Sequence, residues 1–152
     1  MIHETSRAAF VARYPFPIDR FQNESFDALD RGEHLVVAVP TGSGKTVVAE
    51  YGIDETRRAG QRAFYTAPVK ALSNQKFRDL VEIYDEDSVG LLTGDNAING
   101  DAGIVVMTTE VLRNMIYGRS HLLDDLGLVV LDEVHFLQDS YRGPVWEEVM
   151  IH

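Results

Sequence analysis

The length, composition and charge of this 152-residue sequence limit the kind of protein that it can be. Hydrophobic residues make up 45% and charged residues 25%, which is typical of a globular domain, and no apolar run reaches the ~20 residues of a membrane span. The net charge of −10 argues against a broadly basic nucleic-acid-binding surface, and the absence of cysteine excludes disulfides and thiolate metal sites.

Strands are predicted where short, continuous apolar runs occur. The five runs are residues 35–39, 63–66, 89–92, 104–107 and 128–131. Because these runs do not alternate between apolar and polar residues, they favour parallel strands covered on both faces.

Helices are predicted between most of these strands. They span residues 20–31, 46–58, 70–84 and 110–117, and a final helix opens near Pro144. Asp19 and Gln22 predict a capping box at the start of the first helix. Strands that alternate with helices predict an α/β fold with a doubly wound parallel sheet, in which ligands sit at the carboxyl ends of the strands.

A glycine-containing loop joins the first predicted strand to the next predicted helix. Glycine lets the backbone wrap closely around phosphates, and the N–H groups and dipole of a helix N-terminus attract anions. Lys45 can reach the β- and γ-phosphates of a nucleotide, and the hydroxyl of Thr46 can bind Mg²⁺. The general pattern has glycine where Val39 stands, so a chance Gly-Lys-Thr turn is the alternative. The loop residues are Pro40, Thr41, Gly42, Ser43, Gly44, Lys45 and Thr46.

The last predicted strand ends in acidic residues. Asp132 stands where a carboxylate that contacts Mg²⁺ belongs, and Glu133 can orient and deprotonate an attacking water. A polar strand end followed by a solvated helix is the alternative. The five histidines, His135 among them, are scattered without zinc-binding spacing, so Mg²⁺ is the only metal predicted.

Seven stretches of the sequence together resemble DExH-box helicases of superfamily two. They are the phosphate loop and residues 132–135, 16–22, 67–75, 90–95, 107–113 and 142–148. The resemblance is to the Ski-like (superkiller) branch, which includes bacterial proteins of the HelY type, and it covers nearly the whole chain from Phe16 onward. It implies that residues 1–152 are the first RecA-like domain of such a helicase, a P-loop NTPase domain.

The resemblance implies how this domain would use ATP. Phe16 would stack on adenine, and Gln22 would hydrogen-bond its edge. Asp132 would contact Mg²⁺ through water, Glu133 would be the catalytic base, and His135 would couple ATP to the neighbouring domain. The nucleotide-binding residues implied are Phe16, Gln22, Thr41, Gly42, Ser43, Gly44, Lys45 and Thr46, with Thr46 and Asp132 at Mg²⁺ and Lys45, Asp132, Glu133 and His135 as the catalytic set.

The resemblance also implies contacts to the backbone of a nucleic acid. Most of these contacts are uncharged or use the main chain, which in part answers the objection raised by the net charge. The implied residues are Pro68, Ser73, Gln75, Thr93, Gly94, Thr108 and Thr109.

Several of these residues have simpler interpretations. Phe16 could be a core residue, and Ser73 and Gln75 could belong to a solvated helix start. Thr108 and Thr109 are also good N-caps for the following helix. Trp146, at helical spacing, is best explained by core packing.

The whole protein is expected to be a cytoplasmic, ATP-dependent helicase that acts on single-stranded nucleic acid, RNA rather than DNA, without a membrane. The chain lacks the Ser-Ala-Thr motif and the second RecA-like domain of the family, so we expect a truncated domain whose partner is that second domain. Alone, it should bind ATP and Mg²⁺ weakly, with little helicase activity. The alternatives are a P-loop kinase or transporter ATPase, and a nucleotide-binding interaction module without catalysis.

Overall fold

The structure is a computed structural model that describes residues 2–35 and 44–132, with the backbone alone for residues 2–6 and 45. The chain divides after Arg58 into two compact units. Its helices are α1 Ile2–Val11, α2 Arg20–Asp30, α3 Lys45–Arg58, α4 Lys70–Tyr84 and α5 Thr109–Tyr117, and its strands are β1 Arg62–Ala67, β2 Val89–Leu92, β3 Ala97–Ile98, β4 Ile104–Thr108 and β5 Leu126–Leu131.

The first unit contains α1, α2 and α3, which pack around an aromatic core. Phe10, Phe26 and Tyr51 are fully buried, and the rings of Phe26 and Tyr51 stack with their centres 4.1 Å apart. Arg7 of α1 forms ion pairs with Asp27, at 2.8 Å, and with Asp30 of α2. The aromatic cluster and these ion pairs together hold α1 against α2.

The second unit is built on a five-stranded sheet in the order β3-β2-β4-β1-β5. All neighbouring strands are parallel except β2 and β3, which form a short antiparallel pair. The chain passes through α4 between β1 and β2 and through α5 between β4 and β5. The predicted α/β class with a parallel sheet is therefore confirmed.

Burial differs between the strands of this sheet. β4 is buried along its whole length and β1 along all but its first residue, as predicted for strands covered on both faces. β5 is only partly buried, and Val129 is 36% exposed. Within the described residues β5 pairs only with β1, and burial on both faces is not observed for it there.

The predicted element bounds agree closely with the structure. The helix over residues 70–84 is found with the same bounds, the capping box of Asp19 and Gln22 is present, and α5 ends at a Gly118 C-cap. α1, β3 and two short 3₁₀ turns, Glu86–Ser88 and His121–Leu123, were not predicted. Of the strand predicted over residues 35–39, only Leu35 is described, and it is not in a strand. Residues 36–39 and the helix predicted near Pro144 lie outside the described residues.

Membrane crossing needs a long apolar helix. Among the helices that the structure describes, none has that combination of length and hydropathy.

Candidate functional site

Gly44 is the first residue of the predicted phosphate loop that the structure describes. Its φ of +85° is a backbone conformation that favours glycine, and α3 begins at the next residue, Lys45. A Cβ at Gly44 would lie 2.5 Å from Nε2 of Gln22, so a larger residue would have to displace the end of that amide. Thr46 is exposed in the first turn of α3. Thr41, Gly42 and Ser43 lie outside the described residues.

Gln22 is buried, with 2% of its surface exposed, and both ends of its amide are hydrogen-bonded. Oε1 accepts a hydrogen bond from the backbone N–H of Asp19 at 2.8 Å, and Nε2 donates to the carbonyl oxygen of Gly44 at 2.9 Å. One N–H and one lone pair of the amide remain for another partner. Gln22 therefore supports the residue before α3, a role that the sequence did not predict.

Phe16 is 45% exposed, which argues against the alternative that it is a core residue. Its ring lies 5.4 Å from that of Tyr14, whose hydroxyl donates a hydrogen bond to Glu50 of α3. Burial of Tyr14, and then this hydrogen bond to Glu50, raise the pKa of the Tyr14 hydroxyl. An exposed aromatic face beside an anchored neighbour is available to stack on a planar ligand.

Several predicted residues gather at the carboxyl ends of β4, β1 and β5. Ala67 pairs with Thr108, and Thr109 Oγ1 donates a hydrogen bond to the carbonyl oxygen of Ala67 at 3.4 Å. On the other side of β1, the N–H of Asp132 donates to the carbonyl oxygen of Thr66 at 3.0 Å. Thr108 occupies the predicted N-cap position of α5, but its side chain makes no capping hydrogen bond.

Asp132 accepts a hydrogen bond from the hydroxyl of Tyr65, a β1 residue that is 4% exposed. The ammonium group of Lys76, on α4, lies 4.9 Å from the centre of the Tyr65 ring, within the range of a cation–π contact. This link between α4 and Asp132 was not predicted, because it depends on tertiary packing. Glu133 and His135 lie outside the described residues.

The start of α4 carries the next predicted residues. Pro68 is buried, and Ser73 is fully buried with its hydroxyl donating to the carbonyl oxygen of Val69 at 3.2 Å. The alternative of a solvated helix start is therefore wrong for Ser73. Gln75 is exposed. The proposed contact of Ser73 with a nucleic acid stays a prediction, since the hydroxyl faces the helix backbone.

The turn after β2 carries Thr93 and Gly94. Thr93 is 8% exposed, its hydroxyl donates to Oδ1 of Asp95 at 3.1 Å, and that hydroxyl also accepts from the N–H of Asn96 at 3.2 Å. Oδ2 of Asp95 forms an ion pair with Lys70 at the start of α4. Gly94 is exposed. The two segments predicted to contact nucleic acid are thus joined through Asp95.

A resident metal site in a protein takes several ligands, usually His, Cys, Asp or Glu side chains. Over residues 2–35 and 44–132, no group of three or more of them could hold a metal ion. Mg²⁺ bound with a nucleotide needs fewer protein ligands, because phosphates and water complete its coordination. Thr46 is exposed, and its hydroxyl is an oxygen ligand of the kind that Mg²⁺ takes. In the second unit, the carboxylate of Asp132 is another ligand of that kind.

The family model of the DEAD/DEAH box helicases matches residues 19–152. The chain is 54% identical over 145 residues to the probable helicase HelY of Mycobacterium leprae (strain TN), covering 95% of this chain and 16% of that protein. It is 50% identical over 138 residues to the antiviral helicase SKI2 of Saccharomyces cerevisiae, covering 91% of this chain and 11% of that protein. The chain thus spans about a sixth or less of the length of these relatives.

A solved structure has the same fold. The crystal structure of a hypothetical ATP-dependent RNA helicase from Sulfolobus tokodaii superposes with a TM-score of 0.71 at 19% identity, covering 97% of this chain and 46% of that one. A family model that spans most of the chain excludes the alternatives of a P-loop kinase and a transporter ATPase. On the evidence of residues 19–152, this chain belongs to the DEAD/DEAH box helicase family.

Proposed function

We propose that this chain is the ATP-binding, first RecA-like domain of a cytoplasmic helicase that couples ATP hydrolysis to movement along single-stranded nucleic acid. The observation that carries the proposal is the backbone at Gly44. A glycine with positive φ immediately before a helix is what a loop that wraps a phosphate at a helix N-terminus needs.

The nucleotide would be bound by groups from the first unit. The N–H groups at the start of α3 and Lys45 would hold the phosphates, together with Thr41, Gly42 and Ser43. Phe16 would stack on adenine, and the remaining N–H and lone pair of Gln22 would meet its edge. The exposed ring of Phe16 and the two free positions on the Gln22 amide support this arrangement.

Hydrolysis would use Mg²⁺ and the residues after β5. Mg²⁺ would be bound by Thr46 and, through water, by Asp132, and it would neutralise charge that develops on the phosphates. Glu133 would orient the attacking water and accept its proton, while His135 would relay the state of the nucleotide to a second RecA-like domain. The Tyr65 hydroxyl, which donates to Asp132, supports a fixed orientation of this carboxylate.

RNA is the favoured nucleic acid in this proposal. A similar protein of Schizosaccharomyces pombe, 48% identical over 138 residues, is called ATP-dependent RNA helicase mtr4, and this chain covers 12% of it. The proposed backbone contacts, from Pro68, Ser73, Gln75, Thr93, Gly94, Thr108 and Thr109, carry no charge. Binding by this chain, whose net charge is −10, should therefore be weak and measurable only at low salt, and the second domain should strengthen it.

The first test is titration of the chain with a fluorescent ATP analogue. Lys45→Ala should abolish binding and leave the fold intact, because it removes the charge that meets the phosphates. Arg78→Ala, which removes one positive charge from an exposed position on α4, is the control. Equal affinity of Lys45→Ala and the wild type would overturn the phosphate-site assignment.

The second test separates hydrolysis from binding and the chain from the whole protein. In the full-length protein, Glu133→Gln should bind ATP normally and hydrolyse it slowly, because the amide keeps the shape but is no longer a base. In this chain, single-stranded RNA should barely stimulate phosphate release. Strong stimulation would show that the second domain is not required.

A further inference from the structure

Asp95 occupies an unusual place between the two segments proposed to contact nucleic acid. Its Oδ2 forms an ion pair with Nζ of Lys70, the first residue of α4, and its Oδ1 accepts a hydrogen bond from the Thr93 hydroxyl at 3.1 Å. Each carboxylate oxygen is thus bound by a donor from a different segment. Lys70 lies two residues after Pro68, and Thr93 is itself one of the proposed contact residues.

Two donors held in this way also suit a phosphodiester. A phosphodiester in a nucleic-acid backbone has two non-bridging oxygens that share one negative charge, like the two oxygens of a carboxylate. It accepts hydrogen bonds from the same ammonium and hydroxyl donors. The ammonium of Lys70, and then the Thr93 hydroxyl, lower the pKa of the Asp95 carboxyl, which is therefore ionised at neutral pH. The ionised carboxylate thus occupies the two donors, Lys70 and Thr93, that a phosphate would take.

We propose that Asp95 is an internal competitor for a backbone phosphate, and that nucleic acid binds by displacing the Asp95 carboxylate from Lys70 and Thr93. This inference rests on the proposed function. It adds a binding position for one backbone phosphate, which the carboxylate of Asp95 occupies when no nucleic acid is bound. Asp95 thereby weakens the binding of any strand whose other contacts do not compensate for breaking the interactions of Asp95 with Lys70 and Thr93.

The ion pair between Lys70 and Asp95 is weak enough for a nucleic-acid strand to break it. The side chains of Lys70 and Asp95 are 48% and 64% exposed, and an exposed ion pair contributes little stability. A strand that also reaches several backbone contacts can therefore break the pair. When it does, Asp95 keeps a negative charge beside the new phosphate, and it takes up a cation that partly cancels the counterion release from the strand.

The test measures binding of a fluorescently labelled single-stranded oligouridine to this chain by anisotropy, over a range of KCl concentrations. Asp95→Asn should raise affinity about two- to fivefold at low salt, the range that one exposed ion pair supplies. The slope of log affinity against log salt should steepen by up to about 0.7, the value for one further phosphate contact on a single strand.

Two controls separate competition from a general charge effect. Asp101→Asn makes the same change in charge at an exposed position before β4, and it should change affinity less than Asp95→Asn does. In a Lys70→Gln background, Asp95→Asn should gain no more than Asp101→Asn gains, because the competed cation is gone. Circular dichroism of each variant checks that the fold is retained.

The outcomes distinguish this inference from the proposed function. Binding by the wild type with equal gains from Asp95→Asn and Asp101→Asn overturns the competition alone. A gain from Asp95→Asn that survives in full in the Lys70→Gln background overturns it as well. If neither the wild type nor Asp95→Asn binds the oligonucleotide at low salt, both the competition and a nucleic-acid site on this chain are wrong.

Discussion

The side-chain amide of Gln22 donates a hydrogen bond to the carbonyl oxygen of Gly44 across 2.9 Å, joining α2 to the residue that precedes α3. The other end of the amide accepts from Asp19 and caps α2. A residue predicted to read a base therefore also supports the loop that would hold phosphates. These two roles lead to different effects of substitution on nucleotide affinity.

Gln22→Ala should lower the affinities for ATP and GTP together, because Gly44 loses a partner whichever base is bound. We also expect a loss of about 1–3 kcal/mol in the free energy of unfolding, since the N–H of Asp19 and the carbonyl group of Gly44 lose their hydrogen-bond partner. Any further loss of affinity for ATP that GTP does not share measures the contribution of Gln22 to adenine recognition. Titration with both nucleotides and denaturant unfolding give these values, and a loss confined to ATP with unchanged stability would exclude the supporting role.

Gly44→Ala should destabilise the chain more than Gly32→Ala. Both glycines have positive φ, +85° and +74°, so both substitutions carry a backbone cost of about 1–2 kcal/mol. Only at Gly44 does the added Cβ meet another atom, Nε2 of Gln22 at 2.5 Å, whereas nothing lies within 4 Å at Gly32. The excess destabilisation should shrink in a Gln22→Ala background. An excess of the same size there would mean that the clash does not matter.

The sequence predicted the elements of this fold better than it predicted their partners. β1, β2, β4 and β5 follow from continuous apolar runs, and α4 follows from its helical period. β3 has only two residues, which is too short for any periodicity to show. Its position depends on pairing with β2, where Gly90 leaves room for the backbone of Asn99.

The same limit applies to the candidate site. The loop before α3 and the acid after β5 were predicted, because each belongs to a short contiguous pattern. The contacts of Tyr65 with Asp132 and of Lys70 with Asp95 join residues 67 and 25 positions apart. No local pattern encodes such pairs, since they form only when strands and helices have packed.

Arg62, at the amino-terminal end of β1, also makes contacts that no local sequence pattern predicts. These contacts lead to a stability prediction. Its guanidinium donates to the carbonyl oxygens of Gly100, Ala102 and Leu122 at 2.6, 2.9 and 2.8 Å. Arg62→Gln should lower the free energy of unfolding by about 2–3 kcal/mol, because carbonyl groups from two loops lose a charged donor. Arg78→Gln, on an exposed face of α4, is the control and should have little effect. Equal values for the two variants in urea unfolding would contradict this role.

The first unit should lose stability in alkaline solution through Tyr51. Burial, and then the hydrogen bond to Asp30, raise the pKa of Tyr51 to about 12, against about 10 for an unfolded tyrosine. Between these values the folded chain keeps a proton that the unfolded chain has released. The stabilisation is therefore complete below about pH 10 and is lost as the pH rises through 12.

Tyr51→Phe tests this origin of the pH dependence. The variant should be less stable at neutral pH, because Asp30 loses the hydroxyl that donates to it at 2.6 Å, but its stability should fall less between pH 10 and 12. Tyr117→Phe removes a hydroxyl from a residue that is 56% exposed and should keep the wild-type dependence. An unchanged slope in Tyr51→Phe would assign the alkaline loss to other groups.

Tyr65→Phe should have a larger effect on the affinity for Mg²⁺ than on the stability of the fold. Tyr65 touches neither nucleotide nor metal in our proposal, and acts by donating its hydroxyl hydrogen bond to the carboxylate of Asp132. Without that donor the carboxylate loses part of its orientation, and partners of this kind change metal affinity by about tenfold or more. Stability should fall by only about 1 kcal/mol, because phenylalanine keeps the packing of the ring.

The measurement is nucleotide affinity of the chain with and without Mg²⁺, together with the Mg²⁺ concentration that gives half of the gain. In Tyr65→Phe that concentration should rise about tenfold, while affinity measured without Mg²⁺ stays unchanged. Tyr84→Phe removes a hydroxyl from the last residue of α4 and should leave both values at the wild-type level. A purely structural role would instead lower affinity equally in both conditions, because a loosened fold weakens every contact that the nucleotide makes.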